Sequence, residues 1–209
     1  MTKDTKEKIL DAGLTLFSKK GYIGATTKEI ARKAGVAELT LFRHFSSKER
    51  LFEEAIKRRS FLPALKGLLP ALKTLTYTDA LTEIALRYLE RLAERRELIK
   101  IMHSEIHLYP AKVREIHRNF VGEIVGTLAS YFRGLQYSSM LRKFDPEIAA
   151  RAFLGMFFSY FTSQEFMAEK KQRFSDKDEV VAELVKIFVS GTAITTKVGD
   201  SDESERHAH

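Results

Sequence analysis

Apolar positions in this chain recur at spacings of three and four, and no stretch alternates apolar and polar over the length of a strand. Ile9, Ala12, Gly13, Leu16 and Phe17 form one such stripe, closed by Lys19, Lys20 and Gly21 as a helix end. Thr26 followed by Glu29 has the spacing of a reciprocal N-terminal cap. A second helix is therefore predicted from there to about Ala34, with Ile30, Ala31 and Ala34 facing inward. After the turn Ala34-Gly35-Val36-Ala37 comes a short helix over 38–45, in which Leu41 and Phe45 share a face. Glu38, Leu39, Thr40, Arg43 and His44 then point outward. A fourth helix starts at Ser47-Lys48-Glu49, carries Leu51, Phe52, Ala55 and Ile56, and is expected to end near Phe61–Leu62, ahead of Pro63.

Beyond Pro63 the periodic stretches lengthen, predicting helices at about 79–95, 97–108, 111–136, 146–171 and 177–197. Asp145-Pro146 reads as a helix start, with proline in the first turn. The expected class is all-α: a three-helix helix-turn-helix head over 1–47 and a helical body over 48–198 for ligand binding and dimerisation. The acidic, apolar-poor tail over 199–209 is expected to be disordered.

Charge sharpens this division. Residues 1–60 hold 14 Lys+Arg against 8 Asp+Glu, a net +6, whereas residues 61–209 hold 21 against 20, a net +1. A basic head on a neutral body suits a phosphate backbone as partner. Cysteine is absent, which excludes disulfides and thiolate metal sites. The longest apolar run, 152–161, is too short to cross a bilayer, and the charged start MTKDTKEKIL does not read as a signal peptide. A cytoplasmic location is the expectation.

On a wheel of about 100° per residue, Phe153, Phe157, Tyr160 and Phe161 gather on one side of helix 146–171. Ala152, Gly155, Ser159 and Ser163 gather opposite. The last helix also has two stripes: Val181, Leu184, Val185 and Phe188, and Val180, Ile187 and Ile194. The small-residue stripe and the Val180–Ile187–Ile194 stripe are the expected homodimer contact, two helices from each subunit forming a bundle; a monomer that absorbs both stripes internally is the alternative. Met102, His103, Ile106, Tyr109, Phe120, Ile124, Phe157 and Phe161 are candidate walls of a pocket for a small hydrophobic or aromatic effector, although plain core packing accounts for any one of them equally well. His103 and His107 stand at metal-ligand spacing, but Glu105 points about 200° away from His103 and no other carboxylate completes a site. No metal, cofactor or catalytic constellation is expected, and the chain reads as a non-enzyme.

Residues 9–56, ILDAGLTLFSKKGYIGATTKEIARKAGVAELTLFRHFSSKERLFEEAI, closely resemble the DNA-binding head of the tetracycline-repressor (TetR) family. The matching features are a Phe-x-x-x-Gly-Tyr helix end, Thr-Thr-x-x-Ile-Ala, Ala-Gly-Val, and Leu-Phe-Arg-His-Phe-x-x-Lys. The resemblance implies a homodimeric regulator, usually a repressor, that binds a palindromic operator in double-stranded DNA and is released by a small ligand. It assigns Thr27 and Lys28 to phosphate or groove contacts, and Glu38, Leu39 and Thr40 to base reading. Arg43 and His44 take further contacts, and Lys48 binds a phosphate. Phe42 stands where the family usually has tyrosine, and Leu39 where it often has glycine. A helical small-molecule or lipid-binding module without specific DNA binding is the alternative function.

Overall fold

Local signals set the helix boundaries of the head. In the computed structural model, which describes residues 4–58, 60–167 and 176–194, α1 (Thr5–Gly24) loses its helical course at Gly21, where φ is 68°. α2 (Thr27–Ala34) begins with the predicted reciprocal cap: the Glu29 N–H donates to Thr26 Oγ1 at 3.2 Å and the Thr26 N–H to Glu29 Oε2 at 3.4 Å. It ends at Gly35, whose left-handed backbone (φ 71°, ψ 33°) turns the chain sharply. There the Gly35 N–H reaches Arg32 O and the Val36 N–H reaches Ala31 O, satisfying two terminal carbonyls. That turn delivers α3 (Glu38–His44), and α4 (Lys48–Arg58) follows. Ile9, Phe17, Ile30, Leu41, Phe45, Leu51 and Phe52 are fully buried between these four helices.

The body contains one helix that the sequence expectation lacks. α4 stops at Arg58, and α5 (Phe61–Leu72) begins afresh behind a Ser60 cap, with Pro63 in its first turn and Pro70 near its end. Proline in a first turn costs no helical hydrogen bond, so Pro63 starts a helix where it was read as stopping one. α6 (Tyr77–Ala93) and α7 (Arg96–Glu105) follow, and a 3-10 turn over Ile106–Leu108 extends α7. α8 (Ala111–Tyr137) is the longest helix. α9 (Pro146–Thr162) ends earlier than expected and passes into a π-helical turn over Ser163–Met167. α10 (Lys177–Thr192) also ends early, where Ala193 becomes extended and bridges to Leu141. The tail expected to be disordered lies outside the described residues.

α8 packs along α9 and α5, while α6 lies against α5, α9 and α10. Head and body are not loosely tethered, because α7 packs on α1 and α4 packs on α8. The buried apolar side chains of both parts belong to a single continuous core. Burial of that apolar surface is the main source of the fold's stability.

Candidate functional site

The outer face of α3 is open. Leu39 is 66% and Phe42 42% exposed, Arg43 and His44 are also exposed, and Thr40 is partly covered. Leu41 and Phe45 anchor the opposite face in the core, so α3 presents its polar side as a rigid element. Thr27, in the first turn of α2, donates its hydroxyl to Glu38 Oε1 at 2.6 Å and so fixes the first residue of α3 against α2. Lys28 is exposed beside it, and neither Lys28 nor Arg43 has an ion-pair partner among the described residues.

Lys48 is placed differently. Its ammonium sits 4.3 Å from the centre of the Tyr22 ring and 3.5 Å from the Ile23 carbonyl oxygen. Partial burial holds its pKa below the ordinary lysine value, against the opposing pull of Glu49. The Tyr22 hydroxyl donates to Glu49 Oε1 at 2.6 Å; this bond is the main reason that the Glu49 carboxyl lies below the usual carboxylate range. Burial, followed by that same carboxylate, pushes the Tyr22 phenol well above its ordinary value.

Behind the head, a cavity of about 420 Å³ opens between α4, α5, α6, α7, α8 and α9. Of the eight pocket candidates, Met102, His103, Ile106, Phe120 and Ile124 line it. Tyr109, Phe157 and Phe161 do not, which corrects their assignment to its wall. Tyr109 turns toward the head, where its ring meets those of Tyr22 and Phe52. Phe157 is locked in the body core, 5.0 Å from Phe153, and Phe161 packs edge-on against Phe166 at 5.7 Å. His103 faces the cavity and His107 does not, and among the described residues no three His, Asp or Glu side chains gather as a metal site.

The sequence reading missed several wall residues: Ile56 on α4, Tyr88, Arg91 and Arg95 on the α6 side, and His117 on α8. Tyr88, Arg91, Leu92 and Arg95 stand at i, i+3, i+4 and i+7, a spacing that marks a common face. With two arginines in the stretch LAERRE, that face reads as a solvated charge run rather than a wall.

A second exposed region lies on α9 and α10. Ala152, Gly155 and Ser159 are exposed along one stripe of α9, and Ile148, at the same register, is 67% exposed. Ser163 falls in the π-helical turn and is half-buried. On α10, Ile187 is 57% exposed, Ile194 beyond its end is also exposed, and Val180 is half-buried. No helix among the described residues is long and apolar enough to cross a membrane.

Residues 9–55 match the family model described as bacterial regulatory proteins, tetR family, and residues 79–191 match that of the AefR-like transcriptional repressor C-terminal domain. The chain is 30% identical over 173 residues to YvkB, an uncharacterised HTH-type transcriptional regulator of Bacillus subtilis (strain 168), spanning 80% of this chain and 87% of that one. Among solved structures, a chain described as a TetR-family transcriptional regulator from Mesorhizobium loti superposes with a TM-score of 0.74 at 21% identity, covering 91% of this chain and 97% of that one. The transcriptional regulator FadR from Bacillus subtilis, in complex with stearoyl-CoA, superposes with a TM-score of 0.63 at 21% identity, covering 88% and 97%.

Proposed function

Since this chain belongs to the TetR family of bacterial transcription regulators, we propose that it is a homodimeric repressor of a palindromic operator, released by a small hydrophobic effector in the body cavity. One observation carries the reading. The cavity wall is built partly from α4 and α7, and these helices also touch the head: α4 and α7 both pack on α1. A molecule filling the cavity therefore presses on two helices that seat α1, the helix on which α2 and α3 are packed. The long acyl chain of the stearoyl-CoA bound in the FadR neighbour supports an effector with a large hydrocarbon part.

In the dimer, two α3 helices must stand roughly 34–36 Å apart to enter successive major grooves. Glu38, Leu39, Thr40 and Arg43 face base edges; Thr27, Lys28, His44 and Lys48 hold the backbone, and Phe42 lies against sugar or a thymine methyl. The exposed α9 stripe and the Ile187–Ile194 stripe of α10 support assembly through these helices. An effector releases DNA only by preferring the head spacing that DNA disfavours, and operator must then weaken effector binding by the same factor. Typical coupling of about 1–3 kcal/mol gives roughly a 5- to 150-fold loss of operator affinity.

A gel-shift series on DNA upstream of the chain's own gene, repeated with cavity-binding compounds found by thermal shift, tests the reading. Specific retention that falls on adding such a compound is the expected result. Folded protein that binds a compound but retains no sequence over bulk DNA would instead identify a ligand-binding module without an operator.

A further inference from the structure

A buried guanidinium needs an anion, because removing its hydration in an apolar setting is costly unless a partner takes over. The cavity wall contains three arginines and two histidines but no carboxylate. Two of the arginines are already neutralised: Arg91 pairs with Glu94 at 2.6 Å and Arg151 with Glu147 at 2.8 Å. Arg95 is not. No carboxylate pairs with it among the described residues, its buried Nε has no hydrogen-bond partner, and its guanidinium lies 5.8 Å from the centre of the Phe120 ring. Burial brings its pKa down to about 10, so it remains charged at neutral pH. Tyr88, on the same face, packs its ring on Phe61, and its hydroxyl has no hydrogen-bond partner among the described residues.

We propose that Arg95 is the anion anchor of this cavity and that the effector is an apolar molecule bearing a single carboxylate. The rest of the wall is dominated by leucine, isoleucine, valine, methionine and phenylalanine, which fixes the remainder of the ligand as hydrocarbon or aryl. A single uncompensated guanidinium matches one negative charge; a dianion would carry an unneutralised charge into the same apolar surroundings. Arginine suits a planar carboxylate, offering two parallel N–H donors. This inference rests on the effector reading of the cavity given above.

The test compares acids with their uncharged counterparts by titration calorimetry: decanoate against decanol and naphthoate against naphthol, on the full chain and on Arg95→Met. In the wild type, at least one carboxylate should bind about tenfold or more tighter than its alcohol, the range expected for hydrogen bonds to a charged group. Arg95→Met keeps an apolar stem and should lose that preference while still binding the alcohol. The inference is overturned if neither carboxylate outbinds its alcohol, or if Arg95→Met retains the preference. Operator gel shifts run in parallel separate the two readings. An Arg95-dependent preference with unchanged operator affinity keeps the anchor and refutes effector release. Release by an alcohol, with no acid preference, does the reverse.

Discussion

The backbone N–H of Tyr22 donates to the hydroxyl oxygen of Tyr109 at 3.4 Å, and the two rings meet edge-on with centres 5.8 Å apart. Tyr109 follows the turn that extends α7, and Tyr22 lies just past the break in α1, so this pair joins body to head. The Tyr109 hydroxyl also donates to Glu105 Oε2 at 3.4 Å, and Glu105 lies so close to Gly21 that a Cβ there would clash with the same oxygen. The junction is thus built from close approach as well as from aromatic packing.

Tyr109→Phe should keep the ring contacts and lose the weak hydrogen bonds, lowering stability by about 1 kcal/mol. Tyr109→Ala empties a fully buried site and should cost about 3–5 kcal/mol. Urea unfolding midpoints at constant slope measure both. A wild-type midpoint for Tyr109→Ala would mean that the junction adds nothing to the folded state.

On the recognition surface, the proposed base-reading and phosphate contacts should fail differently. Thr40→Ala and Arg43→Ala should relax preference at particular base pairs by about 1–3 kcal/mol, leaving binding to bulk DNA nearly intact. Lys48→Ala should weaken all sequences alike and reduce the salt slope by about one phosphate. Gel-shift titrations over a set of operator variants at several salt concentrations separate the two patterns. An unchanged preference in both Thr40→Ala and Arg43→Ala would remove α3 from the groove.

The head was legible in the sequence because its signals are local: the Thr26–Glu29 cap, Gly35 and the Leu41–Phe45 pair each specify a boundary or a face within a few residues. α5 was not, because Pro63 is compatible both with stopping a helix and with opening one, and only the packing of α5 on α6 and α8 decides between them. The cavity was half legible. Apolar candidates such as Met102 and Ile124 have the same sequence signature whether they line a void or fill a core, which is why Phe157 was misplaced. Arg95 carried no signal of its own, since burial depends on which helices close over it.

His117 gives the cavity a pH signature. It is half-buried in the wall; burial first, and then the nearby charge of Arg95, hold its pKa below the ordinary 6.5. The unfolded chain therefore binds more protons than the native one below that value, and the associated stability, complete above pH 6.5, is lost as pH falls toward the lowered pKa. His117→Gln should flatten the slope of stability against pH in that window. Arg95→Met should flatten it in part, because one of the two causes is removed. Urea unfolding at intervals through the window measures the slopes, and a His117→Gln slope equal to wild type would show that other groups set it.

Assembly can be tested at a position where folding and association make opposite demands. Ser159 is exposed in the single chain, so an arginine there has room, and surface substitutions of this kind usually change stability by no more than about 0.5 kcal/mol. If the α9 stripe meets its symmetry mate, the same arginine is buried against a second copy of itself, at a cost of several kcal/mol. Ser159→Arg should therefore sediment as a monomer with a wild-type helical spectrum, and it should lose operator affinity because a lone head engages only one half-site. Ala152→Leu supplies a second, uncharged probe of the same stripe: Ala152 is exposed in the subunit and does not line the cavity, so a larger side chain there obstructs what meets the stripe from outside. If both variants sediment as wild-type dimers, the contact lies elsewhere, and the exposed Ile187–Ile194 stripe of α10 would have to be probed on its own.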